Sequence, residues 1–392
     1  MNLTLSPEEQ AFRTEARAWV DANLPADIAE RTKTGKWHSM SDIQRWTQIL
    51  GKRGWVGVSW PKEYGGPGWS PVQKHLFDEA CALAGAPRTI PFGPVMVAPV
   101  IMAFGTEAQK KRHLPGIMNG TVSWCQGYSE PGAGSDLASL KTRAQRRGDT
   151  YLVNGQKTWT SFAHHSDWIF CLVRTSTEGR PQAGISFLLI DMQSPGITIR
   201  PIITMDGHHV LNEVFFDDVV VSAENLVGEE NKGWTYAKYL LAHERTFVAS
   251  VPRAKFELQR LKQIAQVEGL WSDLRFRDQI ALLEVDIVAL EVMVLRALSA
   301  EQNNRPALDV TGLLKIAGSQ IEQRYTELMM LAAGPDAIPF IREATQAGWQ
   351  ADCVNGAYVA SLVASYFNAR KTTIYGGSNE VQRNIVAQSV LG

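Results

Sequence analysis

The chain has few of the features that would tie it to nucleic acid, a membrane or a metal. Its 392 residues carry a formal net charge of -1, so no basic surface is expected to gather phosphate backbones or anionic lipid. There are only 4 cysteines, Cys81, Cys125, Cys171 and Cys353, widely spaced and without a C-x-x-C pair. They read as reduced thiols, and the chain as cytoplasmic. The longest apolar run, Phe92 to Gly105, is too short to span a bilayer and contains Pro94 and Pro99. The opening Met1-Asn2-Leu3-Thr4-Leu5-Ser6 lacks the basic and apolar regions of a secretory signal. No His/Cys/Asp spacing suggests a metal site. A dinucleotide-binding fingerprint is missing as well. Gly132-Ala133-Gly134 starts one, but Leu137 stands where its third glycine is needed.

Apolar residues make up 45% of the chain, enough for a real core, and the length favours two or three domains. Ser6-Pro7-Glu8-Glu9 has the pattern of a helix start, with a hydroxyl cap, proline at the first position and a carboxylate three after the cap. Phe12, Ala16, Trp19 and Val20 follow at helical spacing. Further helices are expected near 41–54, 72–84 and 107–118, interrupted by a loop from Trp60 to Gly68. From Thr121 the pattern shifts to short β-branched or aromatic runs: 122–125, 151–153, 168–173, 185–190 and 213–216. After Gly233 the helical period returns, predicting helices over 234–266, 276–302, 308–332, 350–370 and from about 378. The expected fold class is therefore α+β: an N-terminal helical domain (1–120), a middle antiparallel β domain (121–231) and a C-terminal helical bundle (232–392).

The stretch from Trp124 to Ser161 holds the densest functional signal. Gly132 and Gly134 let the backbone approach a ligand closely. Ser129 and Ser135 offer hydroxyls, and Asp136 could order the loop. Asn154-Gly155 reads as a turn leading to Trp159, flanked by Thr160 and Ser161. A flat, partly polar ligand fits such a surface: Trp159 gives an apolar wall, and Ser129 and Ser161 give hydrogen bonds.

These residues carry a resemblance. Glu130-Pro131-Gly132-Ala133-Gly134-Ser135-Asp136, Lys141-Thr142-Arg143-Ala144 and Asn154-Gly155-Gln156-Lys157 with Trp159 are similar to motifs of the acyl-CoA dehydrogenases. Phe215 to Val219, Asn225 to Gly228 and Ile374 to Arg383 extend the likeness in order along nearly the whole chain. The form Trp124-Cys125-Gln126-Gly127-Tyr128-Ser129-Glu130 resembles the branch with the pimeloyl-CoA dehydrogenase large subunit and heteromeric steroid side-chain dehydrogenases. The resemblance implies FAD. Gln126, Tyr128 and Ser129 then match one wall of the flavin ring, and Trp159, Thr160 and Ser161 the other. Ser378 and Glu380 match cofactor contacts on the last helix, while Gly134, Ser135 and Tyr375 match the acyl-CoA side. The implied reaction gives a trans-2-enoyl-CoA, with electrons passed to an electron-transfer flavoprotein.

Such a reaction needs a base for the α-proton and donors on the thioester carbonyl. Many members carry a glutamate directly after the tyrosine of the C-terminal motif. Here that position is Gly376, which can offer only its backbone N–H. Glu244 is the substitute. Tyr236, Leu240, Glu244 and Val248 share one helix face, and a carboxylate on an apolar stripe has its pKa raised by desolvation. A minority of the family places its base here, in a pair like Glu244-Arg245. The alternatives are a surface salt bridge of Glu244 with Lys238 or Arg245, and His243 as the pocket-facing group; His164, His165, His208 and His209 read as loop or interface histidines. Two departures point to a partner. Leu270 to Asp278 lacks the family's Arg-x-x-Phe-Gly, and Leu331-Ala332-Ala333-Gly334-Pro335 replaces its Gly-Gly-x-Gly. Both motifs serve the neighbouring subunit's cofactor, so a hetero-oligomer with a homologous subunit is expected, or else a homo-oligomer. The rival functions are a same-fold acyl-CoA oxidase or flavin monooxygenase, and a non-catalytic subunit.

Overall fold

The structure, a computed structural model, describes residues 4–244, 250–302, 311–346, 349 and 358–391. Helices α1 (Pro7–Asn23), α2 (Ala26–Lys33), α3 (Met40–Gly51), α4 (Pro71–Ala84), α5 (Ala98–Phe104) and α6 (Glu107–Met118) come first. The expected cap is present: the Ser6 hydroxyl accepts from Glu9 N–H while the Glu9 carboxylate accepts from Ser6 N–H. Strands β1 (Trp124–Gly127), β2 (Arg143–Arg147), β3 (Thr150–Lys157), β4 (Trp168–Arg174), β5 (Ile185–Asp191), β6 (Ile197–Ile203) and β7 (His209–Ser222) form one sheet. Its order is β1-β4-β2-β3-β7-β6, with β5 on the other side of β4. The pairings are antiparallel except along β4, where β1 and β2 lie parallel. Period-2 alternation splits β4 cleanly: Phe170 and Leu172 face the N-terminal helices, while Ile169, Cys171 and Val173 fill the opposite face.

Helices α7 (Gly233–Glu244), α8 (Val251–Val267), α9 (Leu274–Gln302), α10 (Thr311–Ala333), α11 (Leu362–Ala369) and α12 (Asn379–Leu391) complete the chain. Helix α10 packs against α8, α9, α11 and α12, and α4 reaches across to α8 and α9. The N-terminal helices and the bundle therefore share a wall. Helix α7 lies on β5, with Tyr236, Ala237 and Leu240 in the core shared by the first helices and the sheet.

Three readings of the sequence need correction. Asn154-Gly155 is not a turn but lies inside β3, where the register with β7 shifts. Gly155 takes φ +149, and a Cβ there would meet Thr142 Cα at 2.6 Å; glycine admits a bulge, not a reversal. The single helix expected over 234–266 is α7 and α8. Ser250 is left-handed at φ 44, and the ring of Pro252 forces a helix to restart there rather than continue. Strands β2 and β6 leave no run that the sequence reading picks out. Only Ala144 of β2 is buried, so its sequence shows no apolar run, and Pro201 marks β6 as the edge strand that it is.

Gly155→Ala should cost about 1–3 kcal/mol through the strained torsion and the clash with Thr142. Thermal unfolding should show a lowered midpoint; an unchanged midpoint would contradict the bulge.

Candidate functional site

The site grows from a buried ion pair. Lys157 ends β3 on its inward face and is fully buried. Its ammonium donates to Glu130 Oε1 at 2.7 Å and to the Tyr128 carbonyl at 3.2 Å. The Glu130 carboxylate also accepts from Lys141 N–H at 2.6 Å and Thr142 N–H at 2.9 Å. Burial pushes the Glu130 pKa up; the Lys157 charge and the converging hydrogen bonds outweigh it, and the net shift is downward. Glu130 thus closes the base of the Pro131–Leu140 loop, helped by reciprocal backbone bonds with Ala133 at 3.0 Å. Beyond that base, Gly134 and Ser135 are exposed, with open space around Gly134. Asp136 helps order the loop through its carbonyl, which accepts from the Ser139 hydroxyl at 2.7 Å.

The same clamp brings together the two segments read as ring walls. Thr158 N–H donates to the Ser129 carbonyl at 2.9 Å. Tyr128 is buried, edge-on to Phe170 at 5.8 Å, while Gln126 and Ser129 keep some surface. Trp159 holds a left-handed backbone at φ 60 and is 59% exposed. Such a torsion is costly for an aromatic residue and persists only where neighbours enforce it. They do: Thr160 N–H donates to Asn212 O, and Asn212 Nδ2 donates back to Thr160 O, both at 2.9 Å. The Thr160 hydroxyl is buried and has no partner among the described residues, while Ser161 is half-buried. An outward indole beside hydroxyls, one of them unsatisfied, fits an aromatic ring system with polar edges.

Tyr375, Gly376, Ser378 and Glu380 sit on the bundle, around the start of α12. Gly376 has φ +64, and a Cβ added there would meet nothing within 4 Å; Gln382 Nε2 holds its carbonyl at 3.1 Å. Tyr375 is exposed. The Ser378 hydroxyl accepts from Val381 N–H at 3.3 Å. The Glu380 carboxyl is held below its ordinary range by its own backbone N–H and by Ser378. The bundle docks on the sheet's β6–β7 turn, where Arg342 Nε donates to Gly207 O at 3.0 Å and His208 meets Thr345 Oγ1 at 2.9 Å. Residue 244 ends α7 one helical step beyond the buried Tyr236 and Leu240. The Glu244 and His243 side chains and all of Arg245 lie outside the described residues.

A cavity of about 800 Å³ opens between the sheet, the N-terminal helices and the bundle. His164, His165, His208 and His209 line its sheet wall. Among the described residues no cluster of three or more His, Cys, Asp or Glu could hold a metal, and no helix is long and apolar enough to cross a membrane. The sequence reading leaves Glu130 and Lys157 as motif letters without a role. The available signal is a lysine at the inward end of an alternating strand, which requires a buried anion.

Three family models match the chain: acyl-CoA dehydrogenase N-terminal domain over residues 6–121, middle domain over 125–219 and C-terminal domain over 231–391. The acyl-CoA dehydrogenase IpdE1 of Mycobacterium tuberculosis is 35% identical over 98% of this chain and 97% of that protein. IpdE1 of Mycolicibacterium smegmatis is 34% identical over 98% of each. Among solved structures, the Tcur3481-Tcur3483 steroid ACAD superposes with a TM-score of 0.87 at 30% identity, covering 100% of this chain and 99% of that one. The ChsE4-ChsE5 complex from Mycobacterium tuberculosis gives 0.84 at 30%, with the same coverage.

Lys157→Met should destabilise the protein by about 3–5 kcal/mol, because it strands a buried carboxylate. The Glu130→Gln/Lys157→Met double variant should lose less than the two single losses combined. Because the folded pKa of Glu130 is depressed, its contribution is complete above the ordinary value of 4.5 and fades as pH falls below it. Denaturation midpoints of wild type and Glu130→Gln should therefore converge under acid conditions. A constant gap from neutral pH down would contradict the assignment.

Proposed function

Because the chain belongs to the acyl-CoA dehydrogenase family, an oxidoreductase family whose members depend on FAD, we propose that it oxidises an acyl-CoA thioester to the trans-2-enoyl-CoA with Glu244 as the α-proton base. The observation that carries this reading is the buried face of α7. Tyr236 is 5% and Leu240 0% exposed, and Glu244 continues that face at the next helical step. A carboxylate at that step of an apolar helix face suits the role of a base, with Arg245 beside it in sequence. Gly376 supports the choice from the other side. It has no side chain for proton transfer and open space where a Cβ would stand, and its backbone N–H is the group left to hold the thioester carbonyl as enolate charge develops.

In this reading Gln126, Tyr128, Ser129, Trp159, Thr160 and Ser161 hold the flavin ring, with Ser378 and Glu380 contributing from α12. Gly134, Ser135 and Tyr375 take the acyl-CoA. When bound, FAD accepts the β-hydrogen as hydride, and an electron-transfer flavoprotein drains the electrons. The domains divide near residues 120 and 231. A homologous partner subunit completes the cofactor site, consistent with the missing motifs at Leu270–Asp278 and Leu331–Pro335. The exposed Leu282, Val285 and Val288 of α9 add an apolar face for such a contact. The two-chain names of the similar solved structures point the same way.

Glu244→Gln should bind FAD normally yet lose at least about 10²-fold in anaerobic flavin bleaching by acyl-CoA. Unchanged bleaching with full flavin content would falsify the base assignment. Co-expression with homologous chains from the native host, followed by light scattering, should yield a hetero-oligomer with less than one flavin per chain. A homo-oligomer with one flavin in every chain would remove the partner.

A further inference from the structure

Glu130 closes the base of the loop that carries Gly134 and Ser135; the turn that returns the chain to that base has a second anchor. Leu137–Ser139 make a single helical turn there. Within it, Ser139 N–H donates to Asp136 O at 3.1 Å and Leu140 N–H to Leu137 O at 3.2 Å. The carbonyls of Ala138 and Leu140 accept from a side chain, that of Arg174, the last residue of β4. Arg174 Nη2 donates to Ala138 O at 2.6 Å and to Leu140 O at 3.2 Å, and Nε to Leu140 O at 3.4 Å. Nη1 donates to the carbonyl of Pro181, in the turn that leads into β5. The backbone N–H of Arg174 donates to Thr142 O at 2.7 Å. One residue therefore ties the Pro131–Leu140 loop, the approach to β2 and the turn before β5 to the end of β4.

Alternation puts Arg174 on the sheet face of Phe170 and Leu172, and those two residues share a core with Ala133 and Leu140 of the loop. Ala138 and Leu140 are 6% and 2% exposed, so water is poorly placed to replace the guanidinium at their carbonyls. Arg174 is in no contact ion pair among the described residues; Glu130 favours its charge from a distance, and burial opposes it more strongly. Its register neighbour in β2 is another cation, Arg143. What Arg174 supplies is shape: a planar fork of donors that reaches the carbonyls of Ala138, Leu140 and Pro181 together. The single-point ammonium of a lysine cannot reproduce that fork. Gly134 and Ser135 stand exposed between two anchored pieces, Glu130–Ala133 and Asp136–Leu140, with nothing within 4 Å of a Cβ built on Gly134. A tip with open space around it keeps one position only where both flanks are fixed. A loop fixed before its ligand arrives loses less on binding.

We propose that Arg174 is the positioning residue of the acyl-CoA loop: by clamping the Ala138 and Leu140 carbonyls it sets Gly134 and Ser135 against the CoA portion of the thioester. This role rests on the dehydrogenase reading, and its first test is a readout other than turnover. In the ligand-free, FAD-loaded protein the amides of Ser139 and Leu140 should already be protected from hydrogen exchange. Fast exchange there overturns the clamp. In Arg174→Lys, which keeps the charge and loses the fork, that protection should fall at least about tenfold, while the Lys141 and Thr142 amides held by Glu130 keep theirs. Affinity is then measured for an acyl-CoA and for the N-acetylcysteamine thioester of the same acyl group, which lacks most of the CoA. Wild type should prefer the CoA thioester. In Arg174→Lys that preference should shrink by about tenfold, through weaker binding of the CoA thioester alone, with flavin content unchanged. Equal weakening of both thioesters marks general damage and overturns the role, as does a preference left intact. If wild type binds neither thioester, the dehydrogenase reading falls and takes this role with it. If wild type shows the preference and Arg174→Lys keeps it, only the role of Arg174 falls.

Discussion

The architecture around the site depends on one desolvated carboxylate. Glu130 is 8% exposed and could not remain ionised there alone, since an isolated buried charge costs several kcal/mol. It is met by the Lys157 ammonium and by two backbone N–H groups from the far end of its own loop. This set is geometric as much as energetic. Lys157 ends β3 while the Lys141–Thr142 amides lie just before β2, and the Pro131–Leu140 loop is arranged so that they meet at a single carboxylate. The Lys157 bond to the Tyr128 carbonyl extends the constraint to the end of β1. A buried pair of this kind adds little net stability compared with an apolar filling, but breaking either half is severe. Its value lies in allowing one register and no other.

From that register follows the placement of Trp159. With Lys157 pinned inward and Thr158 bonded to Ser129, the chain must turn outward at the next residue. It does so through a left-handed torsion that the Thr160–Asn212 bonds hold in place. The indole faces outward because its backbone has been forced, not because the side chain prefers water. Strain held by surrounding structure and an unsatisfied buried hydroxyl at Thr160 are both marks of a ligand surface.

The sequence revealed much of this and hid the rest for identifiable reasons. The capped helix at Ser6, the helices α4, α6 and α9 and the strands β4 and β5 stood out because their apolar periods are strong. Strand β2 was invisible because its outward residues are arginine and glutamine, so burial left no alternating trace. Asn154-Gly155 misled because the dipeptide that closes hairpins also permits a bulge; only the neighbour at Thr142 distinguishes them. The ring-wall segments were legible as motif letters. The link between them was not, because Glu130 and Lys157 are 27 residues apart, and no local pattern couples them.

In the proposed reaction the glycine at 376 and the acid at 244 divide two tasks, holding the carbonyl and taking the proton. Gly376 sits at φ +64, a conformation that a side chain makes unfavourable. A glutamate at this position would need either a different loop or a strained backbone. The loop instead leaves open space where a side chain would project. Helix α7, for its part, has Tyr236, Ala237 and Leu240 packed in the core shared by β5 and the N-terminal helices. Proton transfer is served by a base carried on a helix fixed by such packing, and by a carbonyl donor with no side chain in front of it.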